Sequence, residues 1–274
     1  MNSGGSSSIG RMTGAIKSPP PFWTGQEQNR KTMLGTILNG VGILAGGLIG
    51  RYPRWQIPAP KQAYIKYGLG AFTIFFSFKL IYQALSQYEL GRAIKLFGVA
   101  FLGMVLGRLM GRFIGIQKGS NRLGNYARIR METAIKSGSK NFNDAFVAGS
   151  LLFCVTPLAF LGALQDGLQG FFWLLAIKAA MDCLATMSFV TIMGRGILLS
   201  ALPVVAWQGL LTLAAQWLQQ KLALQPDVLA VIHVTTGLIA MAVFLIIMDV
   251  KKVELADYLP SLAVAPALAW LFFS

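Results

Sequence analysis

The sequence predicts an all-α fold, a polytopic transmembrane helix bundle of seven or eight spans, and three observations predict it. Hydrophobic residues fill 55% of the 274 positions and charged residues only 12%, whereas a soluble chain carries about 25% charged residues to cover its wet surface. The mean hydropathy is +0.59. The apolar residues also fall in long blocks with short polar punctuation. A bilayer core about 30 Å thick needs about 20 helical residues at 1.5 Å rise, and several blocks reach that length.

Residues 1–31 form a separate domain-level unit, rich in Gly, Ser and Pro (GGSSS, SPPPF) and without apolar periodicity. Such a segment buries too little surface to offset its ordering entropy and is expected to be a disordered tail. It lacks the 7–15-residue apolar core of a signal peptide. Residues 32–274 form the transmembrane domain. Spans are predicted over 33–50, 67–86 and 94–116, with Pro53, Pro58 and Pro60 between the first two. A long basic loop covers 117–143, with Lys118, Arg122, Arg128, Arg130, Lys136 and Lys140 against the single acid Glu132 up to the next span. Further spans follow over 144–164, 171–193, 196–217 and 227–248. The last segment, 258–273, contains Pro260 and Pro266 and is short for a full crossing.

The basic residues set the expected orientation. If all eight segments cross, thirteen of them share one side: Arg51, Arg54, Lys61, Lys66, the six of the long loop, Arg195, Lys251 and Lys252. The other side holds seven: Arg11, Lys17, Arg30, Lys31, Arg92, Lys95 and Lys221. The positive-inside rule then puts the N-terminus outside, although Arg30 and Lys31 directly before the first span pull the other way. The net charge of +14 points to anionic lipid headgroups as partners and not to nucleic acid, because no soluble domain exists to present a basic face. Arg108 and Arg112, one turn apart near the end of the third span, fit the same headgroup contact.

Glycines recur every four residues in two spans: Gly42, Gly46 and Gly50 in the first, and Gly103, Gly107, Gly111 and Gly115 in the third. Each stripe makes a flat helix face on which a neighbouring backbone can pack closely. Packing within one chain and a homo-oligomer seam both use such a face.

Polar residues at membrane depth are the candidate site, since an ionisable group there costs about 2.5–3.5 kcal/mol on insertion scales. Asp182 lies near the middle of the fifth span, with Lys178 one turn earlier and Thr186 one turn later. A buried ion pair that orients the helix and an ion, proton or substrate site are both open readings. Lys79 sits mid-span without an acidic neighbour at helical spacing and is expected to face the bundle interior, near Asp182 or Asp166 or an anionic ligand. Asn39 and Gln208 lie near the centres of their helices. The run Gln165-Asp166-Gly167-Leu168-Gln169-Gly170 interrupts the hydrophobicity between spans four and five. It reads as a tight external turn, or as a segment dipping inward after Pro157 breaks the fourth helix. His233, near the start of span seven, has no clustered partner and reads as an interfacial hydrogen-bonded residue. Cys154 and Cys183 lie inside spans and read as small packing residues. No nucleotide loop, nucleophile–base set or metal-ligand spacing occurs, so no enzyme activity, metal or cofactor is expected.

These motifs resemble a bacterial family of multi-pass membrane proteins known as domain of unknown function 554. The resemblance rests on GTILNGVGILAGGLIG, GLGAFTIFFSFKL ending near Lys79, and GSLLFCVTPLAFLGALQDGLQG. It also rests on KAAMD around Lys178 and Asp182, SALPVVAWQG around Gln208, and the closing ADYLPSLAVAP. It covers about 33–270. The tail is extra, and Thr156-Pro157 stands where a Gly-Ala-like pair is expected. The resemblance implies a bacterial inner-membrane location and puts Asn39, Lys79, Asp166, Lys178, Asp182 and Gln208 at motif positions, but implies no activity. The residues themselves favour a small secondary transporter or ion-coupled carrier with an unidentified small-molecule or ion substrate. Asp182 and Lys178 form its exchange site, and Lys79, Asp166, Gln165, Gln169, Asn39 and Gln208 line it. The alternative is a scaffold that binds partner helices or anionic lipid.

Overall fold

The computed structural model describes residues 33–137, 141–222, 225–251 and 253–273; the tail expected at 1–31 lies outside them. Ten α-helices and no strands are found among the described residues. They are α1 (Leu34–Arg51), α2 (Ala59–Leu85), α3 (Leu90–Ile114), α4 (Ile116–Ser137) and α5 (Phe142–Cys154). Then come α6 (Pro157–Gln169), α7 (Trp173–Met193), α8 (Ala201–Leu222), α9 (Pro226–Ile247) and α10 (Ser261–Phe273). Short 3₁₀ turns at Arg195–Ser200 and Leu255–Tyr258 lead into α8 and α10. The protein is thus an all-α polytopic bundle, with seven single helices of span length and one bent pair, α5 and α6.

Local chemistry explains most helix limits. Proline at the first turn suits α2, α6 and α9, because it lacks an N–H that a helix start leaves unpaired anyway. That start extends α2 eight residues before the expected span. Gly115 is left-handed, with φ 79°, and ends α3; it is a helix cap and not a fourth member of the packing stripe. The stretch expected as a loop is helical from Ile116 to Ser137. Its polar face carries the basic residues, while Ala127 is buried against the core and Leu123, Tyr126 and Ile129 stay exposed. Helix α4 is therefore amphipathic, and its charges make it unfit to cross a bilayer.

The two glycine stripes are covered from within the chain. A methyl placed at Gly42 would stand 2.6 Å from the Ala179 carbonyl oxygen, and Gly46 and Gly50 abut the Cys183 and Met187 carbonyls in the same way. On α3, Gly103 meets the Ala265 backbone, Gly107 meets Ser261, and Gly111 meets Asp257. Only hydrogen at these positions lets the backbones approach so closely.

The same contacts fix the direction of each helix. From Gly35 opposite Leu175 to Gly50 opposite Met187, residue numbers rise together, so α1 and α7 are parallel. Along α3 and α10, and along α2 and α9, they run in opposite senses, with Gly70 against Met248 and Gly237 against Ile81. Helices that alternate across a bilayer run parallel only when an odd number of crossings separates them. Between α1 and α7 lie α2, α3, the charged α4 and the bent pair, so α5–α6 must cross as one broken span. Its parallel run along α8 agrees: Gly149 faces Ile197, the Phe160 and Trp207 ring centroids lie 5.6 Å apart, and Gly167 faces Ala215. With that pair as one span, the described residues hold eight candidate crossings. The 59° bend sits at Val155–Thr156, while the polar Gln165–Gln169 run forms the last turns of α6, closed by left-handed Gly170.

One end of the bundle gathers α4, the turn after α1, Arg195 and Lys251. The opposite end holds Tyr88, Arg92 and Asp227, where Arg92 pairs with Asp227. There, burial and the adjacent Asp227 carboxylate push the Tyr88 phenol up to about 12.

Two predictions follow from these packings. Gly46→Ala should lose about 1–3 kcal/mol through overpacking, read as a lower thermal midpoint of the detergent-purified protein, whereas Gly98→Ala, with open space around it, should lose none. Single cysteines at Trp55 and Val250, in a protein with Cys154 and Cys183 replaced by alanine, should react with a membrane-impermeant maleimide from the same side. A re-entrant α5–α6 would put them on opposite sides.

Candidate functional site: a buried ion pair where four crossings meet

Lys178 and Asp182 are one turn apart on α7 and form an ion pair, with side chains only 2% and 9% exposed. Glycine makes the site possible: Gly42 draws the α1 backbone onto Ala179, beside the pair. Asn39, one turn earlier on α1, borders the Asp182 carboxylate and donates Nδ2 to Gln208 Oε1 of α8 at 3.1 Å. The Phe153 ring, at the end of α5, lies 5.9 Å from Lys178 Nζ, and Cys154 is close by. Thr186 turns its hydroxyl back to the Asp182 carbonyl at 2.7 Å. Four crossings therefore meet at one charged pair. Desolvated ions cost several kcal/mol each unless paired, so the two charges hold each other in place.

Asn39 Oδ1 and Gln208 Nε2 are buried and have no hydrogen-bond partner among the described residues. One acceptor and one donor group remain free whichever way the two matched amides are turned. One turn beyond, Thr36 and Thr212 hydroxyls lie 3.4 Å apart.

Asp166 serves the start of α1. Its Oδ2 accepts the Gly35 N–H at 3.1 Å, and the Thr36 backbone also faces it. A carboxylate there pairs otherwise orphaned amides and opposes the positive end of the helix dipole. Gln165, its neighbour on α6, turns the other way and donates Nε2 to Thr236 of α9 at 2.7 Å. The side chain of Gln169 lies outside the described residues. Lys79 is half-buried two turns from the end of α2, with Nζ 6.0 Å from the Phe76 ring centroid. It forms no ion pair with Asp182 or Asp166. The helix starts at Ala59, which moves Lys79 off mid-span and lets its stem reach toward the interface. His233 is buried inside α9, with Nε2 unpartnered among the described residues.

A cleft of about 370 Å³ opens between α4 and the α5–α6 break, lined by Ser120, Asn121, Asn125 and Arg128 on one wall and Leu152, Val155, Thr156 and Pro157 on the other. Phe153 and Cys154, the residues beside Lys178, lie in sequence between its lining residues Leu152 and Val155. Sequence reasoning did not find this cleft, nor Thr36, Thr212 and Thr236, because a lone threonine in an apolar helix carries no spacing signal. Among the described residues no three of His, Cys, Asp and Glu stand together to hold a metal ion.

Residues 34–270 match the family described as "Protein of unknown function (DUF554)". The chain belongs to that family. It is similar to "Uncharacterized membrane protein YdfK" of Bacillus subtilis (strain 168), at 27% identity over 87% of this chain and 96% of that protein. It is also similar to "Uncharacterized protein YqgA" of Escherichia coli (strain K12), at 22% identity over 87% and 97%. No solved structure matches.

The α1 cap carries a prediction. Asp166→Ala should cost about 0.5–2 kcal/mol and speed hydrogen exchange at the Gly35 and Thr36 amides, while exchange along α3 stays unchanged.

Proposed function

We propose that this member of the family is a small carrier of the bacterial cytoplasmic membrane, working at Lys178 and Asp182. One observation carries the reading. An ion pair is buried where four crossings meet, two of them glycine-lined or broken, beside amide atoms that have no partner among the described residues. A pair that only oriented a helix has no need of unpaired donors and acceptors around it, although atoms of Gln165, Asp166, His233 and Thr235 also lack a partner among the described residues. The broken crossing supports the same reading, since discontinuous helices near charged groups are a device of carriers. In this reading Asn39 and Gln208 line the site. Asp166 holds α1 in register, and Lys79 and Gln165 stand outside it.

The basic end of the bundle would face the cytoplasm, which puts the start of α1 outside. There α4 lies along the surface with Leu123, Tyr126 and Ile129 toward the acyl chains and its lysines and arginines against anionic headgroups. The glycine stripes support no homo-oligomer seam, because each is already occupied by the chain's own helices.

Asp182→Asn separates the carrier from a scaffold. In a carrier it abolishes ligand binding and uptake in proteoliposomes while the folded protein stays abundant. In a scaffold every single conservative change at Lys178 or Asp182 costs about 3–5 kcal/mol by leaving a lone buried charge. Removing both charges would then restore the protein without loss of any function, and that result would reject the carrier.

A further inference from the structure

We infer that the solute exchanged at this site is a small zwitterion, with one ammonium and one carboxylate on a frame the size of the simplest amino acids. This rests on the carrier reading above and names its substrate class. Lys178 and Asp182 are oppositely charged and side by side, so the buried site is neutral overall. A monovalent anion that displaced Asp182 from Lys178, or a cation that displaced Lys178 from Asp182, would leave one protein charge unpaired in a low-dielectric interior. A zwitterion leaves none. Its carboxylate takes Lys178 and its ammonium takes Asp182, and the sum of charges in the membrane does not change.

The free amide atoms match the same ligand. A carboxylate bound to Lys178 has lone pairs to spare and can accept from the unpartnered Gln208 amide. An ammonium bound to Asp182 has N–H groups to spare and can donate to the unpartnered Asn39 oxygen. Asn39 already borders Asp182, and Gln208 is held to Asn39, so the donor and the acceptor belong to one side of the pair. A lone anion would use only the donor, and a lone cation only the acceptor.

Access follows from the cleft. Its volume of about 370 Å³ compares with about 30 Å³ for one water molecule, which leaves room for a solute of amino-acid size. The polar wall of Asn121, Asn125 and Arg128 leads from α4 to Thr156 and Pro157. Phe153 and Cys154, next to these lining residues on α5, lie beside Lys178. Phe153 is then the side chain that moves when the solute passes.

The test uses the full chain in detergent and compares solutes on nearly one frame: glycine, L-alanine, L-serine and β-alanine as zwitterions, L-lactate as carboxylate alone, and isopropylammonium as ammonium alone. A ligand that binds only the folded protein raises its thermal midpoint. The zwitterions, or one of them, should raise it, and L-lactate and isopropylammonium should not. The shift should vanish in Asp182→Asn. Gln208→Met, which keeps the ion pair, should weaken binding by about tenfold or more through loss of one hydrogen bond to a charged group. A shift from L-lactate or isopropylammonium alone, lost in Asp182→Asn, overturns the zwitterion and leaves the carrier standing. No shift from any of the six, together with full stability in the Lys178→Met/Asp182→Leu protein, overturns both.

Discussion

The close parallel packing of α1 on α7 is the contact on which the rest of the bundle depends. Gly42, Gly46 and Gly50 remove every side chain from one face of α1, so its backbone rests on the carbonyls of Ala179, Cys183 and Met187. At that spacing Asn39 comes beside Asp182, and α8 follows through Gln208 and Thr212. Parallel direction also dictates topology. Because α1 and α7 run the same way, the broken α5–α6 pair has to complete a crossing, and both ends of the described chain fall on one face. Larger side chains at those three glycines would part α1 from α7 and expose the ion pair on one side.

Electrostatics decides what the packed helices can hold. The interior tolerates Lys178 and Asp182 because each cancels the other, and it tolerates Asp166 because the start of α1 supplies amides to it. Atoms of Asn39 and Gln208 beside the pair have no partner among the described residues, and neither do single atoms of Gln165, Asp166, His233 and Thr235 elsewhere in the bundle. The cleft at the helix break is lined by Leu152 and Val155, which flank Phe153 and Cys154 in sequence. Pairing and unpartnered amide atoms therefore meet where α1, α7 and α8 pack together.

Lys79 and α4 show where reading residues in a line falls short. Lys79 counted as mid-span only because the second span was drawn from residue 67; proline at the first turn starts the helix at Ala59 and shifts its centre. Residues 117–143 read as a loop because Gly119 and Gly124 and the many charges mask an amphipathic period, and burial of Ala127 against the core is what stabilises the helix. The break expected at Pro157 is found at Val155–Thr156, where the proline removes a backbone donor, whereas the QDGLQG run is the helical end of α6, closed by Gly170.

The sequence by itself determined the class and the outline. Long apolar blocks and few charges leave no choice but membrane-spanning helices, since in lipid the backbone must satisfy its own hydrogen bonds. It also determined that Lys178 and Asp182 pair, because a spacing of four residues places them on one helix face. Only the tertiary structure decided which helix covers each glycine stripe, that Asn39 meets Gln208, that Asp166 caps α1, and that the fourth crossing is bent and complete. Periodicity along one helix shows that a face exists but not what lies against it. The partners stand more than 120 residues away in sequence for Gly35 and Asp166, and more than 160 for Asn39 and Gln208, so packing alone could bring them together.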